Sequence, residues 1–157
     1  MSGAKLSATL AAPRATPSLL AQLTRGLDRA SQTWKPSEAE FSVLENVCHL
    51  RDIEAEGFAV RIERLLREEG PHLPDLDGAR LARERSYNSD DLGRALAGFQ
   101  AARERSLSLV EGAPPNALAR TGRLEAVGPI TLEEILGRME EHDWDHLHLL
   151  KGLLARR

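Results

Sequence analysis

Apolar residues return every third or fourth position in four separate stretches of this chain, and a proline- or glycine-bearing break closes each of the first three. That rhythm specifies helices with one apolar side, which must pack on one another to hide it. The first helix is expected to open at Thr16, a good N-cap, with Pro17 in the first helical position and Leu20, Leu23 and Leu27 on one face. Residues 1–15, small, polar and interrupted by proline, read as a loose tail before a single domain over residues 16–157. A second helix is predicted over residues 37–69, capped by Ser37 and halted by Gly70-Pro71, with Phe41, Leu44, Val47, Ile62 and Leu65 on its apolar face. The connection that follows is rich in proline, glycine and aspartate, with a short helical piece at 79–85.

Asn88 or Ser89 can cap a third helix over 90–111, whose inward stripe is Leu92, Leu96, Phe99, Ser106, Leu107 and Val110. Gly112-Ala113-Pro114-Pro115 ends it, and residues 116–128 read as irregular apart from a short extended piece at 124–127. Thr131-Leu132-Glu133-Glu134 is a capping-box pattern opening a fourth helix that reaches Arg156. The expected fold is therefore all-α: an antiparallel four-helix bundle, with a long crossover connection between helices two and three and no convincing set of strands.

Composition narrows the function classes. At 157 residues the chain is long enough for one domain with a sizeable core, and 41% hydrophobic with 29% charged residues places it among globular proteins. Of its 21 basic residues all but Lys5, Lys35 and Lys151 are arginine; they are scattered among acids, and the net charge is −3. No basic field exists to hold a nucleic-acid backbone, and aromatics at 4% offer few surfaces for base stacking. Cys48 is the only cysteine, which excludes an intramolecular disulfide and every Cys-pair zinc motif. No apolar run approaches the roughly 20 residues of a membrane span, and Met-Ser-Gly-Ala-Lys lacks a signal peptide's apolar stretch, so a cytoplasmic location is expected.

The fourth helix carries the most chemical information. At about 100° per residue, Ile135, Met139, His142, His146, Leu149 and Leu153 share one stripe, so two imidazoles occupy positions where a bundle expects aliphatic core. One turn apart, they have the geometry of an i, i+4 pair of metal ligands. Two readings stand at this point. The pair holds a metal, or it is satisfied by carboxylates, with Glu45, Asp52 and Glu56 as candidates. His148 points the other way, to solvent. Periodicity sets His49 about 140° from the apolar face of its helix, at an edge or in solvent. Arg103 lies on the inward stripe of helix three, where an unpaired guanidinium would be expensive. It either pairs with a carboxylate such as Asp52 or Glu45 or receives an anionic substrate group. Cys48 reads as a buried, inert thiol, and Trp144 as an outer-face residue suited to packing or a dimer contact.

The stretch Trp34-Lys35-Pro36 followed by Ser42-Val43-Leu44-Glu45-Asn46-Val47-Cys48-His49-Leu50-Arg51-Asp52 resembles the DinB/YfiT-like superfamily. Further matches are Tyr87-Asn88, Arg103, Arg120-Thr121-Gly122, Gly128-Pro129-Ile130-Thr131-Leu132, and Glu140-Glu141-His142-Asp143 with His146. What the resemblance implies is a bundle holding a divalent metal, zinc or nickel, by His49, His142 and His146. It also implies a homodimer and a small-molecule substrate used with a low-molecular-weight thiol or with water. A metal on three neutral imidazoles keeps open positions, as catalytic sites do. Asp52, one turn from His49, is then a candidate acceptor for a ligand N–H or a general base, and Arg103 a candidate catalytic residue. The expected function is a metal-dependent transferase or hydrolase. The alternative is a non-catalytic, stress-linked interaction module whose metal site is closed by a fourth ligand such as Asp52 or Glu45.

Overall fold

The computed structural model describes residues 3–156. Four long helical segments form the bundle: α1 (Gly3–Thr24), α3 (Val43–Asp52) continued through a π-helical turn (Ile53–Phe58) into α4 (Ala59–Arg67), α6 (Leu92–Glu111) and α7 (Leu132–Ala155). Both α1 and the α3–α4 rod pack against α6 and against α7, closing a ring around the apolar interior. Short helices α2 (Arg29–Thr33) and α5 (Gly78–Glu84) sit in the connections. The long crossover between the second and third bundle helices carries β1 (His72–Leu73) and α5, as the composition of that segment suggested.

The first helix corrects the expectation of a loose tail over 1–15: within the described residues it is helical from Gly3, and Thr16 lies inside it, buried, rather than capping it. Pro13 and Pro17 disguise this in the sequence. Pro17 has no N–H to give, so the Pro13 carbonyl loses its helical partner. Arg103 Nη1 donates to that carbonyl at 2.7 Å, and the helix runs on. The sequence shows the missing donor but not the distant group that replaces it.

The second helix starts at Val43 rather than after Ser37. Both serines head a Ser-x-x-Glu pattern, but Ser37 closes only a turn onto Glu40, whereas Ser42 and Glu45 form a complete capping box. Burial decides between them, because Val43, Leu44 and Val47 enter the core from that point. Likewise Asp91, not Asn88 or Ser89, caps α6. The capping box at Thr131 forms as expected.

A small sheet is also present, against the expectation of no strand set. β2 (Thr121–Leu124) pairs in parallel with β1 and antiparallel with β3 (Gly128–Thr131), in register Gly122 with Ile130 and Leu124 with Gly128. Its strands are too short to show a period in the sequence. Gly122 lets it close onto the bundle: a Cβ there would stand 2.8 Å from the Pro71 carbonyl oxygen. The β2–β3 tip turns through Ala126, held at φ 65°, beside the site described next.

Candidate metal centre

His49 on α3 and His142 and His146 on α7 meet between the two rods. One ligand atom from each lies within 4.8 Å of those of the other two. The Nε2 atoms of His49 and His142 face each other at 3.0 Å, and the three ring centroids are 4.6–5.0 Å apart. His146 is oriented from behind: its Nδ1 lies 2.7 Å from Asn46 Oδ1, and Asn46 Nδ2 donates to the Ser42 carbonyl at 2.9 Å, which fixes the amide. With an acceptor on Nδ1, His146 carries its proton there and turns the Nε2 lone pair toward the cluster. Burial, then the neighbouring His142, pushes the His49 pKa down to about 4. Burial, then His142 and His49, takes His146 to about 3. His142 is lowered too, chiefly by burial. All three rings are neutral at pH 7, the state in which imidazole binds a metal.

The edge position that periodicity assigns to His49 is roofed over by the crossover. Gly78, first residue of α5, lies so close that a Cβ would stand 2.5 Å from Cε1 and 2.8 Å from Nδ1 of the ring. Among the described residues, His49 Nδ1 is buried there without a hydrogen-bond partner. Phe41 and Phe58 add apolar walls, their rings 5.6 Å from His49 and 5.8 Å from His142.

A cavity of about 340 Å³ opens on this cluster. His49 and His142 line it with Ile53, Phe58 and Leu76, and the hairpin tip at residues 124–127 forms one lip. Arg61, Arg138, Glu141 and Asp145 supply its charged groups, with Asp75 and Glu125 beside the lip. The π-helical turn makes this lining possible. In an uninterrupted α-helix Arg61 would stand about 120° round from His49; a π turn absorbs roughly one residue's rotation, leaving about 20°. The same turn carries Ile53, Glu54, Gly57 and Phe58 inward together. Straight-helix periodicity could not find Arg61, and Asn46, one turn before His49, stood in the sequence only as one residue of the stretch that carries the family resemblance.

The acids proposed to satisfy the histidines are engaged elsewhere. Glu45 pairs with Lys35 at 3.0 Å and accepts from Ser42 N–H. Glu56 takes Arg85. Asp52 accepts from Arg51 at 2.7 Å, Arg85 at 2.8 Å and Tyr87 at 2.6 Å. Burial alone would raise the Asp52 pKa, but these three donors outweigh it and hold the carboxyl below its ordinary value. Asp52 therefore neither receives a histidine N–H nor lines the cavity, contrary to the role expected of it.

Arg103 is corrected in the same way. It is 1% exposed, and all five of its N–H groups are used. Nε and Nη2 reach Glu54 at 3.0 and 2.9 Å, Nη1 and Nη2 reach Asp143 at 2.7 and 2.9 Å, and Nη1 also takes the Pro13 carbonyl. It pairs with internal carboxylates, though not the two named from the sequence, and has no donor left for a substrate. Thr16 Oγ1 completes the group by donating to Asp143 at 2.7 Å. Leu149, expected on the inward stripe, is exposed, as His148 is. Cys48 is buried and its thiol is pushed up to about 12, mainly by burial.

Fold and site together define a helical bundle with three converging imidazoles, two of which line a cavity. The chain belongs to the DinB superfamily, whose family model matches residues 13–150. Among solved structures it is similar to YfiT from Bacillus subtilis, described as a probable metal-dependent hydrolase with an unusual four-helix bundle topology. The two share 20% identity with a TM-score of 0.89, over 99% of this chain and 89% of that one. Comparison with curated proteins gives no match. Among the described residues no helix is long and apolar enough to cross a membrane.

Proposed function

We propose that this protein is a metal-dependent enzyme acting on a small molecule, with His49, His142 and His146 holding a divalent ion, zinc or nickel. The observation that carries this is the convergence of three neutral imidazoles, none bonded to a carboxylate among the described residues, beside a cavity that His49 and His142 line. One buried and two half-buried rings arranged so would be costly without a shared ligand. Glu45 and Asp52, the carboxylates suited to close the coordination sphere, are bonded to other groups, which favours open positions over a purely structural site. When bound, such an ion supplies Lewis acidity, polarising an electrophile and making a water or a thiol more acidic.

The chain's own groups divide the remaining work. Asn46 holds the His146 tautomer, Gly78 and Phe41 seat the His49 ring, and Ile53, Phe58 and Leu76 keep the inner wall apolar. Glu141 and Asp145, on the α7 wall beside His142, are placed to take a proton released at the mouth. The likeness to a probable metal-dependent hydrolase supports hydrolysis as the reaction; transfer to a low-molecular-weight thiol fits the same site. We place the protein in the cytoplasm as a homodimer. Trp144, 52% exposed, and Leu149, 54% exposed, provide the face for the second copy.

The test is metal content of the purified full chain by elemental analysis. Wild type should hold one zinc or nickel per chain, and His49→Ala, His142→Ala and His146→Ala should each lose it. Equal metal content in wild type and a triple-alanine variant would reject the site.

A further inference from the structure

The bundle buries two arginines in contrasting ways. Arg103 spends every donor on protein acceptors, as described above. Arg61 is 8% exposed and lines the cavity beside His49 and His142, yet among the described residues its Nε has no hydrogen-bond partner. Its polar contacts come from Nη2 alone, each 3.5 Å long, to the Pro74 carbonyl and to the exposed Asp75. A buried guanidinium held so loosely is destabilising, because its desolvation is not offset. Burial, with Arg138 adding like-charge repulsion against the attraction of Asp75, lowers its pKa. Arg138 lines the same cavity and, among the described residues, forms no ion pair within 4 Å. The carboxylates around it are committed or outlying: Glu125 accepts from Asp75 N–H, and Glu141 and Asp145 are exposed on α7.

We infer that Arg61, assisted by Arg138, receives an anionic oxygen group of the substrate, a carboxylate or a phosphate, and so sets which small molecules reach the histidine cluster. A planar fork with unspent donors suits a two-oxygen group. The anion-receiving role that the sequence suggested for Arg103 thus falls to an arginine twelve residues beyond His49. This rests on reading the cavity as the substrate site, but it is measured on Arg61 itself and not through the metal.

The experiment uses the full chain, zinc-loaded and chelator-stripped, with arginine side chains labelled for Nε–Hε NMR. Inorganic phosphate and acetate are titrated separately into wild type, Arg61→Met and Arg61→Lys, and melting temperature is followed in parallel. In wild type one arginine signal, absent from both variants, should shift saturably with at least one anion; whichever anion acts identifies the group. Arg61→Met should weaken anion binding at least tenfold while melting no lower than wild type without anion, since a poorly satisfied charge has been removed. Arg61→Lys should retain part of the affinity. An Arg61 signal that ignores both anions, or variants that bind them as wild type does, would overturn the inference even if zinc binds normally. An Arg61 response in protein that fails to take up zinc on reloading would leave the inference standing and remove the metal-enzyme proposal instead.

Discussion

Gly78→Ala tests the histidine cluster without touching a ligand. The new Cβ would lie 2.5 Å from His49 Cε1 and 2.8 Å from Nδ1, so the ring must retreat by about 1 Å to reach ordinary contact. Metal–nitrogen bonds tolerate only about 0.2 Å, so His49 no longer completes the set. Zinc affinity should fall by about 10–100-fold, or about 1.4–2.8 kcal/mol. Folding should survive, because the ring is a side-chain end that can swing. Gly78 is also a helical position outside the positive-φ set, where alanine favours the helix by about 0.5–1 kcal/mol. Competition with a chromophoric chelator reads the affinity, and a thermal melt of the metal-free form reads the fold. Gly93→Ala, whose Cβ would meet only Asp91 Oδ1 at 3.4 Å, is the control. Wild-type zinc affinity in Gly78→Ala would refute the idea that this close approach sets the His49 ligand position.

Asn46→Ala should weaken zinc binding about 10–100-fold by freeing the His146 tautomer, and an unchanged chelator titration would count against it. Arg103→Met should cost about 3–5 kcal/mol in urea denaturation by stranding Glu54 and Asp143; a loss below 1 kcal/mol would contradict the buried pairing. The metal-free protein should lose stability as pH falls. The His49 and His146 pKa values, about 4 and about 3 when folded, lie below the ordinary 6.5. The unfolded chain therefore binds protons first: the contribution is fully present above about pH 6.5 and drains away as pH falls to about 4 for His49 and about 3 for His146. Equal unfolding free energies at pH 7 and pH 5 would refute this sign.

Helix period, caps and breaks made the bundle legible in the sequence, and the stripe through Met139 and Leu153 drew attention to His142 and His146. Failures arose wherever a distant partner decided the outcome. Two prolines hid the start of α1 because Arg103, some ninety residues away, satisfies the carbonyl that Pro17 leaves free. His49 looked solvated because the crossover that covers it has no periodic signal of its own. Asp52 looked like a helper of His49 from spacing along one helix, but Arg51, Arg85 and Tyr87 claim its oxygens. Arg61 escaped notice because the helix is not in one phase along its length.

That change of phase bears on how this site can vary among relatives. The six residues from Ile53 to Phe58 act as a gearing between two lengths of rod, one answering to the imidazoles and the other to the bundle and its loosely held arginine. A descendant that kept all these residues but wound them as plain α-helix would keep every histidine and most of its leucines, yet would turn Arg61 about 100° away from the cavity. How this short stretch is wound, more than which residues compose it, is what decides which charge the cavity presents to an incoming molecule.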